Sequence, residues 1–215
     1  MNRPDKEFSS IPTNIITGFL GVGKTSAIKH LLKQKPTNER WAVLVNEFGE
    51  IGVDGYLFKE DQRKNQDIFI QEVPGGCMCC ASNLPMQVAL NKLLKRANPH
   101  RLLIEPTGLG HPIEVMELLS NQFYKNVLSI KKTITLVDAR QLADERYLNH
   151  QTYNQQIDIA DIIVGNKSDF YQDSDRSRLM EFVSTKEKKP ELVHFTEYGK
   201  MPLAWLDGEA QHSIS

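Results

Sequence analysis

The chain of 215 residues lacks the features that would place it in several large classes of protein. Basic residues are not in excess: the formal net charge is -1, so nothing favours binding to the phosphates of a nucleic acid. No apolar run approaches the roughly 18 residues of a membrane span, and the amino terminus does not resemble a signal peptide. We therefore expect a cytoplasmic protein with neither a nucleic-acid nor a membrane partner.

Cysteine is scarce, and its placement argues against a disulfide framework. The chain has 3 cysteines, Cys77, Cys79 and Cys80, and residues so close in sequence rarely meet disulfide geometry. They follow two glycines, which free the backbone to wrap around an ion, and thiolates are soft ligands suited to Zn²⁺ or Cu⁺. We expect a metal site completed by an acidic oxygen or a histidine, with a low-pKa redox thiol pair as the alternative.

The chain does contain a phosphate-binding loop near its amino terminus. Residues 18–25 read Gly-Phe-Leu-Gly-Val-Gly-Lys-Thr, which fits the pattern of a glycine, four free positions, then glycine, lysine and a hydroxyl residue. An apolar strand over 14–17 and a helix over 26–33 supply the context that this motif requires. We assign phosphate binding to the residues of this loop and of the following helical turn: Gly18, Gly21, Val22, Gly23, Lys24, Thr25 and Ser26.

Two of these residues have further expected roles, and they are joined by an acidic residue from elsewhere in the chain. Lys24 is expected to reach the β and γ phosphates, and the Thr25 hydroxyl to bind Mg²⁺. Glu105 follows the apolar strand 101–104 and precedes a turn that contains Gly108. Enzymes with phosphate loops place a carboxylate there to hold the metal's water shell and to sense the γ phosphate.

A second acidic region follows the predicted strand 41–45. Glu47, Glu50 and Asp54 come after the carboxyl end of that strand. Ligands bind beyond the carboxyl ends of the strands in an open parallel sheet, so these carboxylates are expected near the phosphates and a metal. A solvated acidic turn is the alternative interpretation.

The sequence Asn166-Lys167-Ser168-Asp169 ends another buried strand, predicted over 161–165, and indicates a guanine base. A carboxylate here can accept hydrogen bonds from the guanine N1 and 2-amino groups, which adenine does not offer. The Lys167 stem can lie along the face of the base. We assign base recognition to Asn166, Lys167 and Asp169, and expect GTP rather than ATP.

The remaining pattern alternates strands with helices, which predicts a doubly wound α/β domain with a mainly parallel sheet flanked by helices. Further strands are predicted over 68–73, 133–138 and 191–195, and further helices from residue 82 and over 112–119, 155–159 and 176–189. We expect one domain over residues 1–206, followed by a polar tail over 207–215.

Together these motifs resemble the CobW-like GTPases, relatives of the urease and hydrogenase accessory GTPases, and within that family they look similar to the bacterial YeiR-type zinc-binding branch. The segments that carry the resemblance are 17–25, 46–50, the cysteine segment 74–80, the segment 104–112 that contains Glu105, and 166–169. The likeness extends from about residue 15 to residue 206.

The resemblance implies a P-loop NTPase fold of the SIMIBI type that binds GTP or GDP with Mg²⁺, and Zn²⁺ at the cysteines. It places Glu47 in a switch loop near Mg²⁺, Glu50 as an oxygen ligand of Zn²⁺, and Glu105 beside the water shell of Mg²⁺. Lys24, Thr25, Glu47 and Glu105 are then the catalytic residues. The implied role is zinc delivery or homeostasis, with an unidentified metalloprotein client and a possible homo-oligomer.

Family members usually continue into a smaller carboxyl-terminal domain, so the resemblance makes residues 207–215 the start of a linker to it. Two other functions stay open. One is a regulatory GTPase whose cysteines sense redox state and which has no role in metal delivery. The other is a metal-binding module whose nucleotide site has lost its activity.

Overall fold

A parallel β-sheet forms the centre of the fold. In the computed structural model, which describes residues 10–46, 67–73 and 84–211, eight strands belong to one sheet. Their order is β3-β2-β4-β1-β6-β7-β8, and β5 pairs with the amino-terminal half of β1. The strands are β1 (Ile11–Gly18), β2 (Trp41–Asn46), β3 (Ile68–Val73), β4 (Arg101–Glu105), β5 (Leu128–Ile130), β6 (Ile134–Val137), β7 (Ile162–Gly165) and β8 (Leu192–Phe195).

Helices cover both faces of this sheet. They are α1 (Lys24–Gln34), α2 (Leu84–Ala97), α3 (Pro112–Ser120), α4 (Glu145–Leu148), α5 (Gln151–Asp158) and α6 (Asp173–Ser184), with short 3-10 turns at Ala139–Ala143, Ser168–Phe170 and Leu203–Leu206. None of the helices in the described part of the chain is long and apolar enough to cross a membrane.

The two faces of the sheet carry separate apolar cores. Successive residues of β1 point to opposite faces, so Ile16 packs in one core with Ile28 and Leu31 of α1, and Ile15 packs in the other with Leu90 of α2. Central strands are therefore buried on both sides, which is why they appear in the sequence as continuous apolar runs. This arrangement confirms the predicted doubly wound α/β fold.

The predicted strands are all present, but some element boundaries differ from the prediction. Helix α6 was predicted over 176–189, whereas it runs from Asp173 to Ser184. A capping box between Gln172 and Asp175 fixes its start, a signal the charge pattern did not reveal. Strand β5 has 3 residues and was not predicted, because so short a segment shows no periodicity.

The described part of the tail contacts the amino-terminal ends of the strands. Asp207 forms an ion pair with Arg101 at 2.6 Å. The buried Asp161 carboxylate accepts hydrogen bonds from the backbone N–H of Gln211 at 2.9 Å and from that of Thr133 at 2.7 Å. Residues 207–211 thus pack against the amino-terminal ends of the strands, which lie opposite the phosphate-binding loop. The division between domain and tail at residue 206 stays a prediction.

We expect Asp161→Ala to lower the melting temperature by about 5 to 15 °C, because two backbone N–H groups lose their acceptor. Asp207→Ala is the matched control. It removes an ion pair whose carboxylate is 71% exposed, and should lower the melting temperature by less than about 2 °C. Thermal unfolding of both variants gives the comparison, and equal losses would mean that the Asp161 bonds contribute little.

Candidate nucleotide-binding site

The phosphate-binding loop connects β1 to α1, and its glycines have backbone conformations that other residues rarely adopt. The φ angles of Gly18, Gly21 and Gly23 are 141°, 70° and 98°. A Cβ atom on Gly23 would also lie 2.5 Å from the Nδ2 atom of Asn166, and one on Gly18 would lie 2.3 Å from the Leu136 carbonyl oxygen. Glycine is therefore required where this loop turns and where it touches neighbouring strands.

The Lys24 ammonium lies against the start of the same loop. Lys24 is 9% exposed, and its Nζ atom donates hydrogen bonds to the carbonyl oxygens of Gly18 at 2.9 Å and Phe19 at 3.0 Å. Burial lowers the pKa of Lys24, while the nearby Glu105 carboxylate acts in the opposite direction. A partly desolvated ammonium at the mouth of a glycine loop is suited to binding an anion such as phosphate.

Thr25 and Glu105 meet although 80 residues separate them in sequence. Glu105 ends β4, the strand beside β1, and is 6% exposed. The Thr25 hydroxyl donates a hydrogen bond to Glu105 Oε1 at 3.0 Å. Hydroxyl and carboxylate oxygens are hard ligands, so this pair and its surroundings fit a Mg²⁺ ion or its water shell.

The turn after Glu105 lies directly against the phosphate-binding loop. A Cβ atom on Gly108 would lie 2.9 Å from the backbone nitrogen of Leu20 and 3.0 Å from the carbonyl carbon of Phe19. Gln156 of α5 donates a hydrogen bond to the Gly108 carbonyl oxygen at 3.0 Å. The two loops therefore touch through their backbones, and a side chain from a third element supports the contact.

Asn166 joins three loops at the other end of the site. It is 2% exposed; its Nδ2 atom donates to the Val22 carbonyl oxygen at 2.8 Å, and its Oδ1 atom accepts from the Gly199 N–H at 2.9 Å. Gly199 has a φ of 68°, and a Cβ there would lie 2.6 Å from the Ala27 backbone. The loop after β8, the phosphate-binding loop and the segment after β7 are thus fixed to one another.

Lys167 and Asp169 follow Asn166 at the surface of the site. Lys167 has a φ of 62°, and its Nζ atom lies 3.7 Å from Oδ2 of the buried Asp138. Asp138 also accepts from the Arg140 backbone N–H at 3.2 Å and so caps the turn that starts at Ala139. Asp169 is exposed in the next 3-10 turn, where its carboxylate is accessible to a ligand.

The remaining predicted site residues lie either in the loop and its helix or outside the described residues. Val22 is buried in the loop, where its carbonyl oxygen accepts the bond from Asn166, and Ser26 is exposed on the first turn of α1. The predicted metal residues Glu47, Glu50, Asp54, Cys77, Cys79 and Cys80 lie outside the described residues. Within residues 10–46, 67–73 and 84–211, no three His, Cys, Asp or Glu side chains are grouped as a metal site.

A histidine was one of the groups expected to complete the metal site, and two histidines near strand and helix ends, His111 and His194, have structural contacts instead. The His111 Nδ1 atom lies 2.8 Å from the Gln155 Oε1 atom, and the His194 ring packs edge-on against Trp205 with centroids 5.0 Å apart. Sequence reasoning missed Gln156 altogether. It stands in a polar stretch of a helix, and nothing in its spacing indicates that its amide reaches a loop almost 50 residues away.

The fold and this cluster define a phosphate-loop nucleotide-binding domain. A comparison with protein families agrees: the model described as CobW/HypB/UreG, nucleotide-binding domain, matches residues 12–194. The chain belongs to this CobW/HypB/UreG family.

Three relatives illustrate the similarity. The zinc chaperone YeiR of Escherichia coli K12 is 46% identical over 195 residues, covering 91% of this chain and 58% of that protein. The zinc chaperone YjiA of the same strain is 33% identical over 165 residues, covering 74% of this chain and 50% of that protein. The crystal structure of Zn(II)-bound YjiA GTPase from E. coli superposes with a TM-score of 0.64 at 21% identity, covering 96% of this chain and 63% of that chain. This chain therefore spans about half to three fifths of the length of these curated relatives.

We expect Asn166→Ala to weaken GDP binding roughly 30-fold, because two buried hydrogen bonds that position the loops are lost. Titration of a fluorescent GDP derivative measures the change.

Asn14→Ala is the matched control for this prediction. Asn14 is also buried, and its Nδ2 atom donates to two carbonyl oxygens, of Lys132 and Leu206, but it lies four residues before the phosphate-binding loop. It should lower the melting temperature and leave GDP affinity within about twofold. If both variants weakened GDP binding equally, general loss of stability would explain the effect of Asn166.

Proposed function

We propose that this domain hydrolyses GTP to GDP and phosphate and that it acts as a metallochaperone in zinc delivery or homeostasis. The observation that carries the enzymatic part is the contact between Thr25 and Glu105 beside the buried Lys24 ammonium. The first turn of α1 supplies the cation and the hydroxyl, and the end of β4 supplies the carboxylate. These are the groups that phosphoryl transfer from a nucleotide requires. Membership of the CobW/HypB/UreG family supports the same reaction.

The chemistry expected of these residues is electrostatic. Lys24 and the loop amides would stabilise the negative charge that spreads over the transferring phosphoryl group. Thr25 and Glu105 would hold Mg²⁺ or its water shell, and the ion would neutralise charge on the phosphate oxygens. Glu47 is proposed to complete this side of the site. The sequence offers no evident arginine finger, so we expect slow basal hydrolysis that a metal or a partner stimulates.

Selection of guanine is assigned to the segment after β7. The Asp169 carboxylate is exposed, so it can accept hydrogen bonds from the guanine N1 and 2-amino groups. Lys167 lies within 3.7 Å of Asp138, which restrains its stem next to the base site. Asn166 does not need to contact the base, because its bonds to Val22 and Gly199 position the pocket.

Zinc is proposed as the cargo, held by Cys77, Cys79 and Cys80 with Glu50 as the oxygen ligand. Two relatives are named zinc chaperones, which supports zinc over other divalent metals. We further propose that the protein works in the cytoplasm, delivers zinc to a metalloprotein client and is able to form a homo-oligomer. The unmatched length of the relatives is consistent with partner recognition by a further domain.

GTP hydrolysis in the presence of Mg²⁺ should fall at least about 100-fold in Lys24→Ala, because the cation that stabilises the transferring phosphoryl group is removed. Phosphate release over time measures the rate, with ATP as the alternative substrate. Lys33→Ala removes an exposed lysine from the last turn of the same helix and should retain the wild-type rate. Equal rates in wild type and Lys24→Ala, or faster hydrolysis of ATP than of GTP, would contradict the proposal.

Zinc binding should fall by about one ion per chain when Cys77, Cys79 and Cys80 are replaced together by serine, because a serine hydroxyl is a far poorer zinc ligand than a thiolate. Zinc bound to purified protein is quantified by metal analysis. Unchanged stoichiometry would favour the regulatory GTPase with redox-sensing cysteines.

A separate experiment on the wild type tests whether the zinc site and the nucleotide site are coupled. The zinc affinity, measured by titration, should differ between protein with GDP and protein with a non-hydrolysable GTP analogue if the two sites are coupled.

A further inference from the structure

Gln156 is a buried polar residue in the middle of α5, 1% exposed. Its Nε2 atom donates a hydrogen bond to the Gly108 carbonyl oxygen at 3.0 Å. A carbonyl oxygen can only accept, so the nitrogen of the Gln156 amide must face Gly108. The contact links α5 to the turn that follows Glu105.

Gly108 lies so close to the phosphate-binding loop that there is no room for a side chain. The atoms nearest to a Cβ at this position would be the Leu20 Cδ2 atom and the Leu20 backbone nitrogen, both at 2.9 Å, and the Phe19 carbonyl carbon at 3.0 Å. Gly108 is therefore in close contact with the phosphate-binding loop and is also hydrogen-bonded to the Gln156 amide. Loss of the Gln156 bond would remove one of these two restraints on Gly108.

The element that carries Gln156 is itself fixed. Its backbone carbonyl oxygen accepts a hydrogen bond from the Thr135 hydroxyl of β6 at 2.7 Å. At the start of the helix, the His150 ring packs against the Phe19 ring with centroids 4.9 Å apart. Helix α5 is thus anchored to the sheet and to the phosphate-binding loop. It therefore holds the Gln156 amide in a fixed position next to Gly108.

Stability alone does not explain an amide at this position. The Gln156 Oε1 atom is buried and has no hydrogen-bond partner among the described residues. A buried acceptor without a partner costs stability, and an apolar side chain of the same length would avoid that cost. The hydrogen bond to Gly108 is what distinguishes glutamine from such an apolar side chain, and this bond points to a functional role.

We propose that Gln156 is a positioning residue for the nucleotide site: it fixes Gly108 so that the turn after Glu105 responds to the γ phosphate. The proposal rests on the proposed function, because it concerns the same site. Gln156 does not touch the nucleotide. Its contribution is therefore to the difference between triphosphate and diphosphate binding and to the rate of hydrolysis, not to binding of the shared phosphates.

The first test is Gln156→Met, which keeps the length of the side chain and removes the donor. We expect kcat to fall about tenfold and the affinity for a non-hydrolysable GTP analogue to fall by a similar factor, with GDP affinity within about twofold of wild type. The melting temperature should change by less than about 3 °C, because removal of the unpartnered Oε1 atom partly offsets the loss of the donor to the Gly108 carbonyl oxygen. Equal losses of GDP and analogue affinity, or none, would overturn the proposal.

Gln141→Met is the matched control. Gln141 likewise has a buried Oε1 atom with no hydrogen-bond partner among the described residues, but it lies on the 3-10 turn after β6 and does not contact Gly108. The same chemical change there should leave kcat and both affinities within about twofold of wild type. A tenfold loss in this control would show that the assay responds to any removal of a buried amide.

Gln156→Glu provides a second test that does not depend on the effect of methionine. Burial and the facing carbonyl oxygen both raise the pKa of a carboxyl group at this position, and its protonated form can donate to Gly108. The rate of Gln156→Glu relative to wild type should therefore rise as pH falls from about 8 to about 5.5. The rate of Gln156→Met relative to wild type should not change with pH. A flat profile for the glutamate variant would count against the hydrogen bond as the cause.

Failure of the inference can be distinguished from failure of the proposed function. If the wild type hydrolyses no GTP, the proposed function fails. The ratio of analogue affinity to GDP affinity is still measurable in that case, and it tests Gln156 without turnover. If the wild type hydrolyses GTP and the Gln156→Met variant has wild-type kcat and affinity ratio, only the inference fails.

Discussion

The structure depends on the parallel pairing of β1 with β4 on one side and β6 on the other. Parallel strands end at the same edge of a sheet, so Gly18, Glu105 and the end of β6 come together although they are distant in sequence. This pairing requires strands buried on both faces, which the alternating cores of Ile15 and Ile16 provide. The nucleotide site is therefore a consequence of strand order before any side chain is considered.

Close backbone contact is the second constraint on the site. At Gly18, Gly23 and Gly108, a Cβ atom would lie within 3.0 Å of a neighbouring strand, side chain or loop. Glycine at these positions allows the loops and strands to approach one another more closely than a larger residue would. Helix α5 adds a further contact to this cluster, through the hydrogen bond from Gln156 to the Gly108 carbonyl oxygen.

Much of this organisation could be predicted from the sequence. The phosphate-binding loop, the pairing of Lys24 and Thr25 with Glu105 at one edge, and the central strands followed from local motifs and from apolar runs. The positions that could not be predicted depend on long-range contacts of ordinary polar residues. Asp161 receives hydrogen bonds from Thr133 and Gln211, and Gln156 reaches Gly108, yet the predicted strand and helix that contain these two residues do not indicate their distant partners. Local sequence determines which residues a helix buries, but only the packed fold determines which loop a buried amide meets.

Buried polar groups at the two ends of the strands have different effects on the stability of the folded protein. At the amino-terminal edge, Asp161 and Asn14 receive or donate hydrogen bonds that fasten the chain, so their burial stabilises the fold. At the carboxyl-terminal edge, burial lowers the pKa of Lys24. The lowered pKa means that burying the charged ammonium costs free energy relative to leaving it in water. A phosphate bound beside Lys24 would place an opposite charge next to the ammonium and would offset part of that cost, so anion binding and the stability of the folded protein are expected to be coupled.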